Sequence, residues 1–374
     1  MGIKPMKIGF DAKRAFLNAS GLGNYSRNTL NAINQNYPGN EIVLFSPEIK
    51  NELFPNYNQF ETVYPRNPLF KIYSSFWRNF MVSQELKKRK IDIFHGLSNE
   101  LPNGIHKTDV PAVVTIHDLI FIRFPEFYKT IDRKIYFNKV KYACDSAQKV
   151  IAISEQTKED IIRFFNVDPN KIEVVYQSVS PVFFEKGNTG NLLSKYGLNE
   201  QFILSVGTHE PRKNQLSLLK AIKAGKIDKQ VVFVGKHTSY TKKMVRFISE
   251  NKMMDQVKFL NDISENDLAG LYQLASLSVY ISFFEGFGLP VIESMASGCP
   301  VITSNVSCLP ETAGGAAVLC TPNDVDELGK QIKLILEKET LRNELIAKGK
   351  EWAKHFHPEQ FSKKMISLYN EILF

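Results

Sequence analysis

Short runs of apolar, often β-branched residues alternate along the chain with longer segments of helical periodicity. In the first half, such runs lie at 7–11, 41–46, 91–94, 112–116, 149–153 and 172–176, and the helical patterns at 24–35, 69–88, 132–147 and 155–165. Apolar strands separated by helices are typical of a parallel, doubly wound sheet. The pattern therefore predicts an α/β domain over residues 1–184.

The same alternation restarts after a polar, glycine-containing stretch at 185–200, which is predicted to be a linker. The second set of apolar runs lies at 202–206, 230–235, 256–260, 277–281, 300–304 and 316–320. These runs predict a second Rossmann-like domain over 201–357. Ligands of such folds bind outside the carboxyl ends of the strands, so the functional residues are expected in loops beside a cleft that both domains share.

Charge and cysteine usage restrict the classes of function. The net charge of +8, from 47 basic and 39 acidic residues in 374, suits nucleic acid, an anionic membrane surface or a phosphorylated ligand. The sequence has no uninterrupted apolar run of about 18 residues and no signal-peptide pattern, so it predicts a cytoplasmic protein without a spanning helix. The four cysteines lack metal-ligand spacing and are interpreted as reduced thiols.

The most informative motif is Phe-Phe-Glu-Gly-Phe-Gly-Leu-Pro-Val-Ile-Glu, which follows the apolar run at 277–281 and leads into a helix. Gly286 and Gly288 allow a ligand to approach the backbone closely, and Pro290 suits the first turn of a helix. The positive end of that helix is suited to a phosphate or to sugar oxygens. A purely structural glycine turn is the alternative.

Two glutamates in this motif are candidate ligand contacts. A carboxylate accepts hydrogen bonds through two oxygens, which fits the vicinal hydroxyls of a ribose, and Glu293 is the candidate for that role. Glu285 lies in the loop, where we expect it to meet the transferred sugar and the positive charge that develops at its anomeric carbon.

A second motif, Gly-Thr-His-Glu-Pro-Arg-Lys-Asn at 207–214, directly follows the first strand of the second domain. Arg212 and Lys213 are adjacent cations at the start of a helix, and such a pair can hold a diphosphate through charge-assisted hydrogen bonds. Neutralising the diphosphate would make it a better leaving group. The alternative is a solvated basic turn.

Together these motifs resemble family-4 retaining glycosyltransferases of the GT-B fold. The resemblance rests on the E-x7-E pair Glu285 and Glu293, the turn at 207–214 and Gly-Leu-Gly-Asn-Tyr-Ser-Arg at 21–27. Segments at 116–118, 151–154 and 174–177 extend it over nearly the whole chain. It implies an α/β architecture of two Rossmann-like doubly wound domains facing a central cleft, an acceptor domain first and a donor domain second. It also implies that a helix at 358–374 crosses back to the first domain.

The resemblance implies a role for each matching residue. Arg212 and Lys213 would bind the donor diphosphate, and Glu293 would bind the ribose. Catalytic roles fall to His117, Glu285 and Lys213. The remaining donor contacts are Gly21, Gly23, Ile263, Gly286, Phe287, Gly288 and Leu289, of which Gly21 and Gly23 would lie near the donor phosphates or the acceptor and Ile263 near the nucleobase. Thr208 stands where many relatives have arginine, and Ser178 where glycine is frequent.

The same resemblance implies the reaction. We expect transfer with retention of anomeric configuration, with no cofactor or metal besides the nucleotide-sugar substrate. The form of the 207–214 turn is most similar to bacterial mannosyltransferases of surface-polysaccharide pathways, which suggests GDP-mannose as donor and a glycan or lipid-linked glycan as acceptor. A UDP-sugar donor, a sugar-nucleotide epimerase of the same fold and a basic nucleic-acid-binding protein stay open as alternatives. The sequence contains no recognisable nucleic-acid motif.

A lipid-linked acceptor would bring the protein to a membrane surface. The pattern at 71–90 predicts a helix with cations at its end. One face of this helix carries the apolar residues Ile72, Tyr73, Phe76, Trp77 and Phe80. Such a helix can lie in a membrane interface or pack on its own sheet. The basic segment 129–149 has the same two interpretations.

Overall fold

The computed structural model describes residues 4–65 and 76–374, and these residues form two compact units. Unit 1 comprises Met1–Ser178 and Pro358–Phe374, and unit 2 comprises Val179–His357. Each unit contains a parallel sheet with helices on its faces. The prediction of two Rossmann-like, doubly wound domains is confirmed.

Within the described residues, the sheet of unit 1 has the order β3-β2-β1-β4-β5-β6-β7. Its strands are β1 Lys7–Asp11, β2 Glu41–Phe45, β3 Glu61–Val63, β4 Ile93–Gly96, β5 Ala112–Ile116, β6 Lys149–Ala152 and β7 Ile172–Val174. The order of the strands reverses between β1 and β4. Such a reversal is the point where a doubly wound sheet opens a crevice for ligands.

Among the described residues, the α-helices of unit 1 lie between these strands in the chain, except the last, which follows unit 2. They are Lys13–Leu17, Gly21–Asn36, Val82–Lys88, Ile120–Arg123, Thr130–Ser146, Glu155–Phe165 and Pro358–Leu373. Residues Trp77–Met81 form a π-helical turn, and short 3-10 turns lie at Pro55–Gln59, Ile105–Lys107, Pro125–Phe127 and Pro169–Lys171. The helix Glu155–Phe165 begins after an N-cap residue, Ser154. The Ser154 side chain accepts a hydrogen bond from the Thr157 amide in the first turn.

The C-terminal helix Pro358–Leu373 packs into unit 1 although it follows unit 2 in the chain. Its apolar face, including Met365 and Tyr369, lies in one core cluster with Ile8 of β1. Tyr369 is fully buried and its hydroxyl lies 2.6 Å from Nδ1 of His95. Burying such a face stabilises the unit by roughly 1.5–3 kcal/mol for each large side chain.

Unit 2 contains a sheet of order β10-β9-β8-β11-β12-β13. Its strands are β8 Phe202–Val206, β9 Gln230–Val234, β10 Val257–Leu260, β11 Leu277–Tyr280, β12 Val301–Ser304 and β13 Val318–Cys320. The reversal here lies between β8 and β11, so the loops that follow these two strands flank the ligand crevice expected of the fold. Those two loops carry the motifs at 207–214 and 283–293.

The α-helices of unit 2 are Leu192–Tyr196, Gln215–Ala224, Ser239–Glu250, Glu265–Leu274, Leu289–Ala296, Leu309–Ala313, Val325–Glu337 and Glu339–Ala353. Short 3-10 turns lie at Pro181–Phe183, Pro211–Lys213 and Lys354–Phe356. The four cysteines of the chain are free and buried, and two of them, Cys144 and Cys320, lie in hydrophobic core clusters.

Three details differ from the sequence-based predictions. The strand β3 is an edge strand of three residues, too short for its alternation to be recognised. The two units divide after Ser178 rather than after residue 184. The predicted linker at 185–200 belongs to unit 2, where the Gly187 amide donates to Gln273 Oε1 at 3.0 Å. Its polar composition reflects a surface position rather than a free connection.

The helical pattern predicted at 69–88 is described only from residue 76 onwards. Within that part, Trp77 is buried, whereas Phe76 and Phe80 are exposed and their ring centroids lie 5.0 Å apart. Ile72 and Tyr73, predicted on the same face, lie outside the described residues. In the part of the chain that the structure describes, no helix is long and apolar enough to cross a membrane.

Candidate active site

The loops after β8 and β11 meet at the carboxyl edge of the sheet of unit 2. The Phe283 amide donates to the Arg212 carbonyl at 2.8 Å, which joins the two loops through their backbones. Gly207 has φ 141°, and a Cβ atom on Gly235 would lie 2.1 Å from the Gly207 carbonyl oxygen. Because only glycine tolerates both conditions, the turn after β8 can pack tightly beside the end of β9.

Arg212 connects the two loops through its side chain as well. Its Nη1 atom lies 2.7 Å from Glu285 Oε2 and donates at 2.6 Å to the Phe284 carbonyl. Its Nη2 atom donates at 2.6 Å to Glu210 Oε1. Protein acceptors therefore engage both terminal nitrogens of this guanidinium, and Arg212 acts as a clamp between the loops.

Lys213 contacts the same carboxylate from the other side. Its Nζ atom lies 2.7 Å from Glu285 Oε1, donates a hydrogen bond to the Tyr280 hydroxyl and stands 4.8 Å from the centre of the Tyr280 ring. The side chains of Lys213 and Glu285 are 15% and 9% exposed. The ion pair is therefore shielded from solvent. Charges interact more strongly in such a shielded position than at the protein surface.

The electrostatic state of Glu285 follows from these contacts. Burial alone would raise the pKa of Glu285, but Lys213 and Arg212 outweigh it and hold the pKa at about 2. Glu285 is therefore ionised at neutral pH and occupies both cations in the absence of a ligand. An anion that binds either cation would have to share it with Glu285 or displace the carboxylate from it.

The glycine loop at 285–288 leads into the helix Leu289–Ala296. Gly288 has φ 104° and is the N-cap residue, and a Cβ atom there would lie 2.7 Å from Leu309 Cδ2. The positive φ and the close contact explain why glycine is required at this position. Phe287 is buried, whereas Leu289 is partly accessible at the first position of the helix.

Glu293 lies in the second turn of this helix. The Tyr272 hydroxyl donates to Glu293 Oε2 at 3.4 Å. Burial, followed by repulsion from Glu265, raises the pKa of Glu293 from 4.5 to about 8, and Lys213 acts in the opposite direction. A protonated carboxyl can donate one hydrogen bond and accept others, so Glu293 can pair with a hydroxyl in either protonation state.

We expect the replacement of Glu293 by glutamine to change how stability depends on pH. Since the folded state raises the pKa from 4.5 to about 8, the unfolded state loses its proton first as pH rises. The wild type should therefore lose free energy of unfolding between pH 4.5 and 8, and Glu293→Gln should lose less. Urea midpoints measured from pH 5 to 9 check this, with the exposed Glu337→Gln as control. Equal pH profiles for wild type and Glu293→Gln would contradict the assignment.

The candidate residues of unit 1 lie at the carboxyl edge of its own sheet. His117 follows β5, is buried and donates from Nε2 to the Leu97 carbonyl at 2.8 Å. Burial lowers the pKa of His117 to about 4, so the imidazole is neutral at physiological pH. The hydrogen bond to Leu97 leaves Nδ1 as the acceptor nitrogen of this ring.

Gly21 and Gly23 lie inside the first turn of the helix Gly21–Asn36, whereas the sequence places both before a helix that starts at residue 24. A Cβ atom on Gly23 would lie 1.7 Å from the Asn18 carbonyl oxygen, but one on Gly21 would meet no atom within 4 Å. Gly23 is therefore required for packing against the preceding loop. Only Gly21 of the pair has open space beside it for a ligand.

Ile263 is partly buried in the loop after β10, next to Ser264, whose side chain caps the helix Glu265–Leu274. The strands β8, β9 and β10 are parallel neighbours, so this loop lies at the same sheet edge as the 207–214 turn. The structure brings Arg212, Lys213 and Glu285 into direct contact. Ile263 shares their sheet edge without a described contact to them.

Several residues at the site were missed by sequence reasoning. Tyr280 and Glu210 contact the two cations, and Ser307, Cys308 and Thr312 bind the backbone of the glycine loop. The last three follow β12, and this position after a strand is the one feature of the sequence that could have indicated a place at the site. Their side chains carry no charge, and nothing in the sequence pattern distinguishes them from ordinary loop residues.

Comparison with known proteins identifies the family. Residues 19–182 match Glycosyltransferase Family 4, and residues 194–352 match Glycosyl transferases group 1. The chain is 32% identical over 292 residues to the O-antigen chain mannosyltransferase B of Escherichia coli, and the match covers 76% of this chain and 75% of that protein. The chain belongs to glycosyltransferase family 4. The predicted similarity to bacterial mannosyltransferases of this family is confirmed.

Two further comparisons agree with this family-4 glycosyltransferase. It is 31% identical over 223 residues to the O-antigen chain mannosyltransferase RfbU of Salmonella typhimurium, covering 59% of this chain and 60% of that one. A glycosyltransferase from Rickettsia africae has a solved structure that superposes with a TM-score of 0.78 at 19% identity and covers 99% of each chain. The structural likeness confirms the predicted GT-B fold.

Family membership gives this glycosyltransferase its class of reaction, the transfer of a sugar to an acceptor. It favours that reaction over the nucleic-acid-binding alternative, because both domains match the family. The ion-paired cluster of Arg212, Lys213 and Glu285 lies in the half that matches group 1.

Proposed function

We propose that this glycosyltransferase transfers mannose from GDP-mannose, with retention of configuration, to a glycan or lipid-linked glycan in the synthesis of a bacterial surface polysaccharide. The observation that supports the donor site is the pair of contacts that Arg212 and Lys213 make with Glu285. These contacts lie where the strand order of the sheet in unit 2 reverses, between β8 and β11. The choice of mannose is supported by the O-antigen mannosyltransferases to which the chain is similar.

The cations support a role in departure of the nucleoside diphosphate. In this proposal Lys213 contacts the diphosphate and Arg212 holds the two loops at the spacing that the donor needs. Charge develops on the leaving phosphate in the transition state, and a preorganised cation stabilises that charge without reorganisation. Two protein cations at this position support a reaction that needs no divalent metal.

Glu285 would act on the other partner of the breaking bond. Its carboxylate is ionised, and it lies within reach of the same cations. We propose that it contacts the donor sugar and stabilises positive charge at the anomeric carbon. The incoming hydroxyl would attack from the side of the leaving phosphate, which accepts its proton, so retention requires no covalent intermediate. His117 would contribute as a neutral hydrogen-bonding group.

Glu293 would bind the ribose hydroxyls, and the backbone at 286–289 the sugar. The Ile263 loop would lie against the base. These roles agree with the placement of Glu293, the glycine loop and Ile263 around one sheet edge.

A panel of nucleotides tests the donor proposal. Ligands that bind the folded state raise its apparent melting temperature, so GDP and GDP-mannose should stabilise the protein more than UDP and UDP-sugars do. The stabilisation should persist in EDTA. A larger response to UDP-sugars would replace GDP-mannose with the second candidate donor class. No response to any nucleotide at saturating concentration would contradict the transferase site.

The acceptor proposal includes contact with a membrane at its cytoplasmic face. On the helix Thr130–Ser146, Ile131 and Ile135 are 75% and 45% exposed and lie one turn apart, with the exposed Lys134 between them. Exposed apolar side chains interleaved with cations are typical of helices that bind anionic lipid surfaces. The basic net charge agrees with such a partner.

Vesicle sedimentation tests this contact. Wild-type protein should pellet with vesicles that contain phosphatidylglycerol, and the double variant Ile131→Ser/Ile135→Ser should lose at least about half of that binding, because buried apolar area drives it. Val245→Ser/Met254→Ser is the matched control, since both residues are exposed apolar residues of unit 2. Equal pelleting of both double variants, or none by the wild type, would contradict the proposal.

A further inference from the structure

Three side chains that follow β12 contact the backbone of the glycine loop, residues 285–288. The Glu285 amide donates to Ser307 Oγ at 3.1 Å, and Thr312 Oγ1 donates to the Phe287 carbonyl at 2.6 Å. Cys308 Sγ lies 3.1 Å from both the Glu285 and the Phe287 carbonyl oxygens. One short segment of chain, residues 307–312, therefore supports the loop at every second residue.

These contacts determine which way the peptide groups of the loop point. In a trans peptide, the carbonyl of one residue and the N–H of the next point in opposite directions. The carbonyls of Glu285 and Phe287 are directed at Cys308 and Thr312, which are buried. The N–H groups of Gly286 and Gly288 are consequently directed away from this interior segment.

The loop needs such support because of its own composition. Glycine populates both signs of φ, so the peptide planes beside Gly286 and Gly288 rotate more easily than those between other residues. Rotation of the 287–288 peptide would remove the acceptor from the buried Thr312 hydroxyl, and an unpaired buried donor is costly. The single S–H of Cys308 can donate to either carbonyl in this orientation, and burial raises the pKa of the thiol, so it stays a donor.

We propose that Cys308 and Thr312 are positioning residues of the transferase reaction. They select the loop orientation that directs the N–H groups of Gly286 and Gly288 to the side opposite the interior and places the Glu285 carboxylate beside Lys213. Neither residue touches the donor. The identity of the donor in this inference rests on the proposed function, but the loop orientation does not.

The test compares Thr312→Val with the conservative Thr312→Ser and with Thr303→Val. Thr303 is the matched control, because its buried hydroxyl also donates to a backbone carbonyl, that of Tyr280, at 2.8 Å outside the glycine loop. Hydrogen–deuterium exchange of the ligand-free protein should be faster over residues 283–291 in Thr312→Val alone. Turnover of GDP-mannose should fall about tenfold in kcat, the scale of one lost hydrogen bond, with little change in KM. Thr312→Ser should restore both.

Exchange and turnover separate the two proposals. If Thr312→Val and Thr303→Val exchange equally over the loop, or if both lose the same kcat, the positioning role is overturned. If the wild type turns over no nucleotide sugar, the proposed function fails, and loop exchange still decides whether Thr312 orients the loop. Cys308→Ala should repeat the Thr312→Val result in exchange, and an unchanged loop in that variant would overturn the role of the thiol.

Discussion

Replacing Lys213 by alanine should lower turnover of the nucleotide sugar by about 100- to 1,000-fold, the range seen when one preorganised stabilising group is removed from a transition state. The reason is that Lys213 is the cation whose ammonium faces Glu285 and Tyr280 rather than backbone acceptors. Steady-state release of the nucleoside diphosphate measures this effect.

Lys220→Ala is the matched control, since Lys220 is exposed on the helix that follows the turn. It should keep wild-type turnover. Glu285 retains Arg212 as an ion-pair partner in Lys213→Ala, so that variant should stay folded. If turnover in Lys213→Ala were within about threefold of the Lys220→Ala value, Lys213 would have no role in the reaction. So small a difference corresponds to less free energy than one typical hydrogen bond contributes.

The second large effect is expected for Glu285→Gln, in which turnover falls at least about 100-fold while the affinity for GDP increases. The change removes the carboxylate that pairs with both Lys213 and Arg212, so a diphosphate meets Lys213 without a competing anion, whereas Arg212 keeps Glu210. The free energy of unfolding should fall by about 3–5 kcal/mol, because the shielded Lys213 loses its ion-pair partner and Arg212 loses one of two. Bound GDP should restore more stability to this variant than to the wild type.

Calorimetric titration with GDP and thermal unfolding measure the two parts of this prediction. Glu210→Gln is the comparison variant, because Glu210 also pairs with Arg212 but is 35% exposed and does not contact Lys213. Its effects should be much smaller. Weaker GDP binding by Glu285→Gln than by the wild type would show that Glu285 does not compete with the diphosphate.

The sheet architecture was predictable because fully buried parallel strands leave continuous apolar runs in the sequence. The strands β1, β5 and β8 agree with their predicted bounds at both ends. The edge strand β3 was not predicted, since three residues are too few for a pattern. The boundary between the units was misplaced because a polar surface segment of unit 2 has the composition of a linker.

The candidate site was predictable in its parts but not in its connections. Loop position and residue type identified Arg212, Lys213 and Glu285 as candidates, but the sequence assigned the cations to phosphate and the carboxylate to sugar. Their mutual ion pairs depend on two loops about 70 residues apart in the chain, which come together only when β8 and β11 pair. The raised pKa of Glu293 has the same origin, because it follows from burial and from repulsion by Glu265 on another helix of unit 2.

The most direct test of the central claim is release of GDP from GDP-mannose by the purified protein, with and without a lipid-linked glycan fraction as acceptor. Wild type and Lys220→Ala should release GDP, faster with acceptor, and Lys213→Ala and Glu285→Gln should release it at least about 100-fold more slowly. Release of UDP from UDP-sugars, without release of GDP from GDP-mannose, would support the proposed site but show that its donor is a UDP-sugar. No release of any nucleotide, or equal release by Lys213→Ala and Lys220→Ala, would contradict the account.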